Sequence, residues 1–346
     1  MEPENPIDAL TPRLNPDLIG HEQAEHAFLS AWHSGRMPHA WLIGGPRGIG
    51  KATLAYRFAR FALAAGAGTP SNTLALPPTH PVFRRVASGG HADLLTLAPG
   101  MLHPETNKPT QDIVVPQIRR AIDFLLKTAA EGGWRVIIVD EAEAMNRSAA
   151  NALLKVLEEP PPKCLILLVS NSPGRLLPTI RSRCRLLTVS PLDPANVAAL
   201  LARFRPALDE VARETLVHLA GGSIGYALDL ADRGGVELHR ELEAILGALP
   251  VLNVPAAHGF ADKLARPGQD ASSGFRTAFE LIAAWILQRL GAGGGVAEPW
   301  IEAWDQVRRL SGATEGLNLD RKQALLVAFL ALQRAARHAR RAQSAA

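Results

Sequence analysis

The sequence Gly45-Pro46-Arg47-Gly48-Ile49-Gly50-Lys51-Ala52-Thr53 follows the apolar run Ala40-Trp41-Leu42-Ile43. An apolar run, a glycine-rich turn and a lysine in this order are typical of a strand, a phosphate-binding loop and the start of a helix. Successive backbone N–H groups and the ammonium group of Lys51 can surround phosphate oxygens there. The stretch therefore predicts a nucleotide site, and its candidate binding residues are Gly45, Gly48, Gly50, Lys51 and Thr53.

One residue departs from the usual form of this loop. Ala52 stands where a serine or threonine normally gives a hydroxyl to Mg²⁺. A methyl group cannot coordinate a metal, and a helix turns by about 100° per residue, so Thr53 is expected to face elsewhere. We therefore expect ATP binding to be possible but ATP hydrolysis by this chain to be weak or absent. Two interpretations are possible at this point. The loop could serve only the fold or passive nucleotide binding, or it could serve hydrolysis.

Two acidic residues follow a second apolar run, which extends over residues 134–139. Asp140 and Glu141 come directly after it. In nucleotide sites of this type, the aspartate after a strand holds Mg²⁺ and an adjacent glutamate can orient the attacking water. Asp140 and Glu141 are therefore the candidate catalytic carboxylates.

Composition indicates a globular chain with more than one domain. Of the 346 residues, 47% are hydrophobic and 20% are charged. Disordered chains have a lower hydrophobic content than this. The two cysteines, Cys164 and Cys184, cannot form a disulfide framework and are expected to be reduced. No apolar run approaches the roughly 20 residues needed to span a bilayer, and the acidic start is unlike a signal peptide. We therefore expect a cytoplasmic protein with no membrane partner.

The order of elements predicts an α/β domain followed by helices. Strands are expected over residues 40–44, 93–97, 134–139 and 165–169, alternating with helices over residues 17–36, 51–64, 115–127 and 148–159. Continuous apolar runs of this kind favour a parallel sheet covered by helices on both faces. Between residues 64 and 90, glycine, proline, serine and threonine are frequent, and no regular element is expected there. After Pro191, every segment is helical in pattern, and Ser223 is placed to cap a helix.

Over about residues 17–230, the chain resembles the clamp-loader AAA+ family of bacterial DNA polymerase III. The motifs that carry the resemblance are Leu18-Ile19-Gly20-His21, the phosphate loop, Asn151-Ala152-Leu153-Leu154-Lys155-Val156-Leu157-Glu158-Glu159-Pro160-Pro161, and Ser182-Arg183-Cys184. The last two are highly specific. The resemblance implies an AAA+ phosphate-loop domain over residues 1–190, a small three-helix lid over 191–235, and an all-α collar for oligomerisation over 236–346.

The resemblance also implies a role for Arg183. In the family, the arginine of the serine-arginine-cysteine triplet reaches across a subunit boundary to the ATP of the adjacent motor subunit. Arg183 is therefore the candidate trans arginine finger. The implied partners are gamma/tau-like motor subunits and a delta-like wrench subunit in a hetero-oligomer, the sliding clamp, and primed DNA through the complex.

A second departure helps to choose among family members. Motor subunits carry an arginine in a helical signature that begins Gly-Ser, whereas this chain has Gly225 at that position, after Gly222-Ser223-Ile224. Ala52 and Gly225 both favour a stationary subunit that helps to load the clamp during DNA replication. The alternative is an ATP-hydrolysing, gamma/tau-like motor subunit. A stand-alone AAA+ remodeller is disfavoured by the context of Arg183 and by the missing arginine.

Zinc is not expected. Many family members insert a four-cysteine zinc module after the phosphate-loop helix, but residues 65–110 of this chain contain no cysteine. His80, His91 and His103 lie in this stretch, and three widely spaced histidines are more often structural than metal ligands.

Overall fold

The computed structural model describes residues 11–66, 72–131, 133–266, 269–291, 297–317 and 319–345. The chain divides into two compact units. The first contains the residues up to Ala207 together with Ala220–Tyr226, and the second contains Leu208–Leu219 and the residues from Ala227 onward. The finer, three-part division at residues 190 and 235 stays a prediction.

The first unit is built on a five-stranded parallel sheet. In chain order its strands are β1 Ala40–Gly44, β2 Leu94–Leu97, β3 Arg135–Val139, β4 Cys164–Ser170 and β5 Arg185–Thr188. The spatial order is β2-β3-β4-β1-β5, and every neighbouring pair is parallel. The central strands β1, β3 and β4 are buried along their whole length, as expected for a sheet covered on both faces.

Helices cover the two faces of this sheet. The helices of the first unit are α1 Glu22–His33, α2 Lys51–Gly66, α3 Pro81–Ala87, α4 Val115–Leu126, α5 Arg147–Glu158, α6 Pro178–Arg181 and α7 Pro194–Phe204. Because side chains alternate along a strand, Trp41 and Ile43 join a core with α1 and α2, whereas Leu42 joins a core with α4 and α5. The predicted α/β fold class is thus confirmed.

Two elements correct the prediction from sequence. We expected no regular element between residues 64 and 90, but α3 lies there. His80 accepts the N–H of Val82 through Nδ1, Pro81 supplies a favourable first residue, and Val82, Phe83 and Val86 are buried. Strand β5 is also absent from the prediction, because Arg185 and Thr188 are polar and three of the four residues of the strand are exposed.

The second unit is helical in its described residues. The remaining helices are α8 Glu210–Ala220, α9 Ile224–Asp232, α10 Gly235–Gly247, α11 Val254–Ala265, α12 Gln269–Gly291, α13 Glu298–Leu317 and α14 Arg321–Ala345. Ser223 caps α9 as predicted, since its Oγ accepts the N–H of Tyr226 at 3.2 Å. Across the ranges that the structure describes, no helix combines the length and the apolar character needed to cross a bilayer.

Candidate functional site

The sheet topology brings the predicted nucleotide-site residues to one edge. The loop 45–50 follows β1, Asp140 follows β3, and Asn171 follows β4, and these three strands are neighbours. The carboxyl ends of parallel strands share one edge of a sheet, which is where ligands bind in open α/β folds. The predicted binding and acidic residues therefore lie at one edge of the sheet: Gly45, Gly48, Gly50, Lys51, Asp140 and Glu141. Their chemical roles stay predictions.

The loop depends on glycine at two positions. Gly48 has a φ of +76° and Gly50 a φ of +100°, in the region that residues with a side chain rarely adopt. A Cβ atom on Gly48 would lie 2.4 Å from the Oγ of Ser223. This close approach means that the loop keeps its path only while residue 48 lacks a side chain.

Lys51 is tied back into its own site. Its Nζ donates to the Oδ1 of Asn171 at 2.8 Å and to the carbonyl of Pro46. Burial lowers the pKa of Lys51, while the nearby carboxylates of Asp140 and Glu143 oppose that shift. The ammonium group thus has protein acceptors in the place where a nucleotide phosphate would otherwise be its partner.

The carboxylate pair is also held by neighbours. The Oδ1 of Asp140 accepts the N–H of Glu141 at 2.9 Å, and burial raises the pKa of Asp140. Glu141 has a left-handed backbone with φ of +46°, and its Oε1 lies 3.6 Å from an Nη2 of Arg47 in the loop. Glu141 therefore faces a cation of its own loop.

Sequence reasoning missed two residues of this network. Asn171 receives Lys51, and the N–H of Asn171 donates to the Oε1 of Glu143 at 2.9 Å. The other oxygen of Glu143, Oε2, is buried and has no hydrogen-bond partner among the described residues. The signal for Asn171 was available, because it follows β4 as Asp140 follows β3. No pattern in the sequence singled out Glu143.

The backbone of the loop offers N–H groups to phosphate oxygens, whereas Ala52 places no hydroxyl at the position that normally serves Mg²⁺. Within the described part of the chain, no protein acceptor takes the N–H groups of Gly48 and Gly50, which leaves them for anionic oxygens. Ala52 offers a methyl group at the metal position. Thr53, one residue later in the first turn of α2, is buried. Nucleotide binding and metal binding at this site stay predictions.

The segment that carries Ser223 and Gly225 packs directly on the loop. The Oγ of Ser223 donates to the carbonyl of Arg47 at 2.9 Å, and the N–H of Gly225 donates to the carbonyl of Gly48 at 2.8 Å. A Cβ atom on Gly225 would lie 2.9 Å from the Cα of Gly48. A side chain at position 225 would therefore meet the backbone of the loop.

His21, which belongs to the motif at residues 18–21, contacts the backbone of the phosphate loop. Its Nε2 lies 2.6 Å from the carbonyl oxygen of Ile49, and the residue is buried. This contact gives the motif a structural task, because it fixes the carbonyl just before Gly50.

Arg183 lies far from this edge of the sheet. It precedes β5, whose first residue Arg185 pairs with Trp41 near the amino end of β1. The loop begins at the other end of β1, and the four steps between the five residues of β1, at about 3.3 Å each, separate the two edges by roughly 13 Å. The Nη2 of Arg183 lies 2.7 Å from the Oε1 of Glu158, and its Nη1 donates to the carbonyl of Thr179 at 3.0 Å. Arg183 is thus directed away from the phosphate loop of its own chain.

Cys184 completes the triplet as a packing residue. It packs against the core cluster on the α4 and α5 face, and burial raises the pKa of its thiol to about 12. Burial also raises the pKa of the Cys164 thiol to about 11. Cys164 and Cys184 are not bonded to each other.

The three histidines considered as zinc ligands have other tasks. Each uses Nδ1 to accept backbone N–H groups: His80 from Val82, His91 from Asp93, and His103 from Glu105 and Thr106. Over the described ranges, no group of three or more histidine, cysteine or acidic residues could hold a metal ion. The absence of zinc stays a prediction.

The chain is similar to subunits of DNA polymerase III. A family model described as "DNA polymerase III, delta subunit" matches residues 20–193, which is half of the chain. DNA polymerase III subunit delta' of Pseudomonas aeruginosa is 43% identical over 190 residues, covering 54% of this chain and 53% of that protein. The Escherichia coli K12 protein of the same name is 32% identical over 225 residues, covering 63% and 60%. DNA polymerase III subunit gamma/tau of Mycobacterium tuberculosis H37Rv is 29% identical over 256 residues, covering 72% and 42%. The matches thus span about half the length of these relatives.

Proposed function

Because this chain belongs to the DNA polymerase III delta-subunit family, we propose that it is a delta-prime-like, stationary subunit of a clamp loader. In this role it supplies Arg183 to the nucleotide site of a neighbouring subunit and helps to load the sliding clamp onto primed DNA. The complex is the replicative polymerase holoenzyme, and the setting is the cytoplasm.

The observation that carries the proposal is the position of Arg183. It is at the sheet edge opposite to the loop, and a guanidinium group there serves no phosphate bound by its own chain. An arginine supplied in trans stabilises the charge that develops on a transferring phosphoryl group. The placement therefore suits a group that completes another subunit's site.

The chain's own site supports the stationary role. Lys51 is bonded to Asn171, Glu141 faces Arg47, and Gly225 packs against Gly48. Together with Ala52, these contacts favour a site that binds nucleotide passively or not at all. Asp140 and Glu141 keep the positions of catalytic carboxylates without a hydroxyl ligand for the metal beside them.

The proposed partners follow from the same role. Gamma/tau-like motor subunits would hold the ATP that Arg183 reaches, and a delta-like subunit would help to open the clamp. The relatives include both delta' and gamma/tau subunits of DNA polymerase III. The helices after residue 235 would form the collar that joins the subunits, with residues 191–235 as the lid.

The second candidate is a gamma/tau-like motor subunit. The observation that favours it is the preserved loop, with Lys51 next to Asp140 and Glu141 at the carboxyl ends of the strands. Ala52 and Gly225 oppose it. Fast turnover of ATP by the purified chain would favour the motor candidate, because a site without a hydroxyl for Mg²⁺ is expected to hydrolyse ATP weakly or not at all.

Reconstitution tests the proposal directly. This chain is mixed with gamma/tau-like and delta-like subunits, and loading of the sliding clamp onto primed DNA is measured. We expect a stable hetero-oligomer whose loading activity requires this chain. A complex that assembles and loads the clamp at full rate without it would contradict the proposal.

A further inference from the structure

The contact between Arg183 and Glu158 joins two motifs that the sequence separates by a strand. Glu158 is the last residue of α5, whereas Arg183 lies between α6 and β5. Their side chains meet at 2.7 Å between Oε1 and Nη2. The proposed function uses the arginine and assigns no task to the glutamate.

The position of Glu158 is unfavourable for its own helix. The carboxyl end of a helix carries a partial negative charge, so a lysine or arginine is favoured there and an acidic residue is not. Glu158 nevertheless ends α5, and Glu159 follows at the cap position. A residue that conflicts with a local rule is expected to have a compensating task elsewhere.

The ion pair of Glu158 with Arg183 is not explained by a contribution to the stability of the fold. The side chains of Arg183 and Glu158 are 35% and 50% exposed, respectively. Exposed ion pairs contribute little to the free energy of folding, because solvent screens the charges and two long side chains lose rotamer freedom. The contact therefore has more effect on the geometry of Arg183 than on the stability of the fold.

The guanidinium group is held from two directions. Glu158 accepts from Nη2, and the carbonyl of Thr179 accepts from Nη1 at 3.0 Å. Both acceptors stand on elements of the same unit, α5 and the short α6, that belong to the core on one face of the sheet. Two acceptors at fixed positions restrict the rotamers of Arg183 while leaving the side chain partly exposed.

We propose that Glu158 is a positioning residue for Arg183, holding the guanidinium group in the orientation that reaches a neighbour's nucleotide. This inference rests on the proposed function, in which Arg183 acts in trans. A catalytic group that shifts by about 1 Å can lose up to 10²-fold in rate. The effect of Glu158 is therefore expected in the turnover of the assembled complex.

The test uses the reconstituted clamp loader with Glu158→Ala, Glu158→Gln and, as the matched control, Glu159→Ala. For Glu158→Ala we expect kcat for clamp- and DNA-stimulated ATP turnover to fall about 10-fold, with KM for ATP and assembly unchanged. Glu158→Gln keeps an acceptor oxygen for Nη2 and should recover most of the rate. Glu159→Ala should match the unaltered complex.

Two further measurements distinguish a positioning role of Glu158 from a structural role. The unfolding temperature of Glu158→Ala should be unchanged or higher, since a charge opposed to the helix dipole is removed. In a chain that also carries Arg183→Ala, Glu158→Ala should have no additional effect on turnover. A lower unfolding temperature, weaker assembly or a Glu158→Gln variant as slow as Glu158→Ala would overturn the positioning role.

The remaining outcomes separate this inference from the proposed function. If Arg183→Ala slows turnover but Glu158→Ala is as fast as the unaltered complex or faster, the positioning role is wrong and the trans finger stands. If Arg183→Ala itself leaves turnover unchanged in an assembled complex, the finger is wrong, and the positioning role with it.

Discussion

Gly225 donates its N–H to the carbonyl of Gly48 at 2.8 Å, although 177 positions separate the two glycines along the chain (225 minus 48). A Cβ atom on Gly225 would lie 2.9 Å from the Cα of Gly48, so the contact is between two backbones. The phosphate loop is thereby held by a residue that has no side chain. This relationship links the missing arginine to the conformation of the loop.

Gly225→Ala is expected to destabilise the protein. The new methyl group would meet backbone that has to shift, and overpacking of this kind typically costs about 1–3 kcal/mol. The helix-forming preference of alanine would return at most about 1 kcal/mol of that loss. Unfolding in urea measures the change. Gly174→Ala is the control, because nothing lies within 4 Å of a Cβ atom at that position, and equal stability of the two variants would contradict the packing argument.

The isolated chain is expected to hydrolyse ATP poorly or not at all. Ala52 gives no hydroxyl to Mg²⁺, and Gly225 brings no arginine to the site. Steady-state turnover by the purified protein measures this. A rate of order 1 per second or faster, which is ordinary for an enzyme, would favour the motor reading instead.

Lys51→Ala is expected to weaken clamp loading less than the same substitution in the motor subunit. The Nζ of Lys51 is bonded to Asn171 and Pro46, so its loss removes internal hydrogen bonds of a site that does not hydrolyse. The two variants are compared in otherwise identical reconstituted complexes. Equal losses of loading rate would show that the site of this chain takes part in the ATP cycle.

The purified protein is expected to contain no zinc. Residues 65–110 hold no cysteine, and the Nδ1 atoms of His80, His91 and His103 accept backbone N–H groups. Elemental analysis after washing with a chelator is the measurement. Zinc in a one-to-one ratio with protein would be the contrary result.

Much of the fold could be predicted from sequence because burial on both faces leaves a simple pattern. Strands β1, β3 and β4 are mainly apolar, and they were placed to within one or two residues. Strand β5 was missed because Arg185, Leu186 and Thr188 are exposed, so the strand lacks the apolar pattern of a buried strand. Helix α3 was missed because its cap, His80, lies within a stretch whose glycine and proline content is typical of loops.

The site could be predicted only in part. The loop and Asp140 are recognisable because each follows a strand within a few residues. The bond between Lys51 and Asn171 joins residues far apart in the chain, and so does the pair of Arg183 and Glu158. Such contacts depend on the order of strands in the sheet, which no local pattern specifies.

The central claim is that Arg183 acts on the nucleotide of a neighbouring subunit, and the most direct measurement is ATP turnover by a complex assembled with Arg183→Ala. Assembly is measured on the same preparation, and Arg181→Ala serves as the control. An arginine supplied in trans is worth about 10³ to 10⁵ in rate in characterised GTPases, and the loss here should be smaller because other subunits keep their own arginines. We predict intact assembly, lowered clamp- and DNA-stimulated turnover and slower clamp loading for Arg183→Ala, with a smaller effect for Arg181→Ala. Unchanged turnover in a fully assembled Arg183→Ala complex would contradict the account.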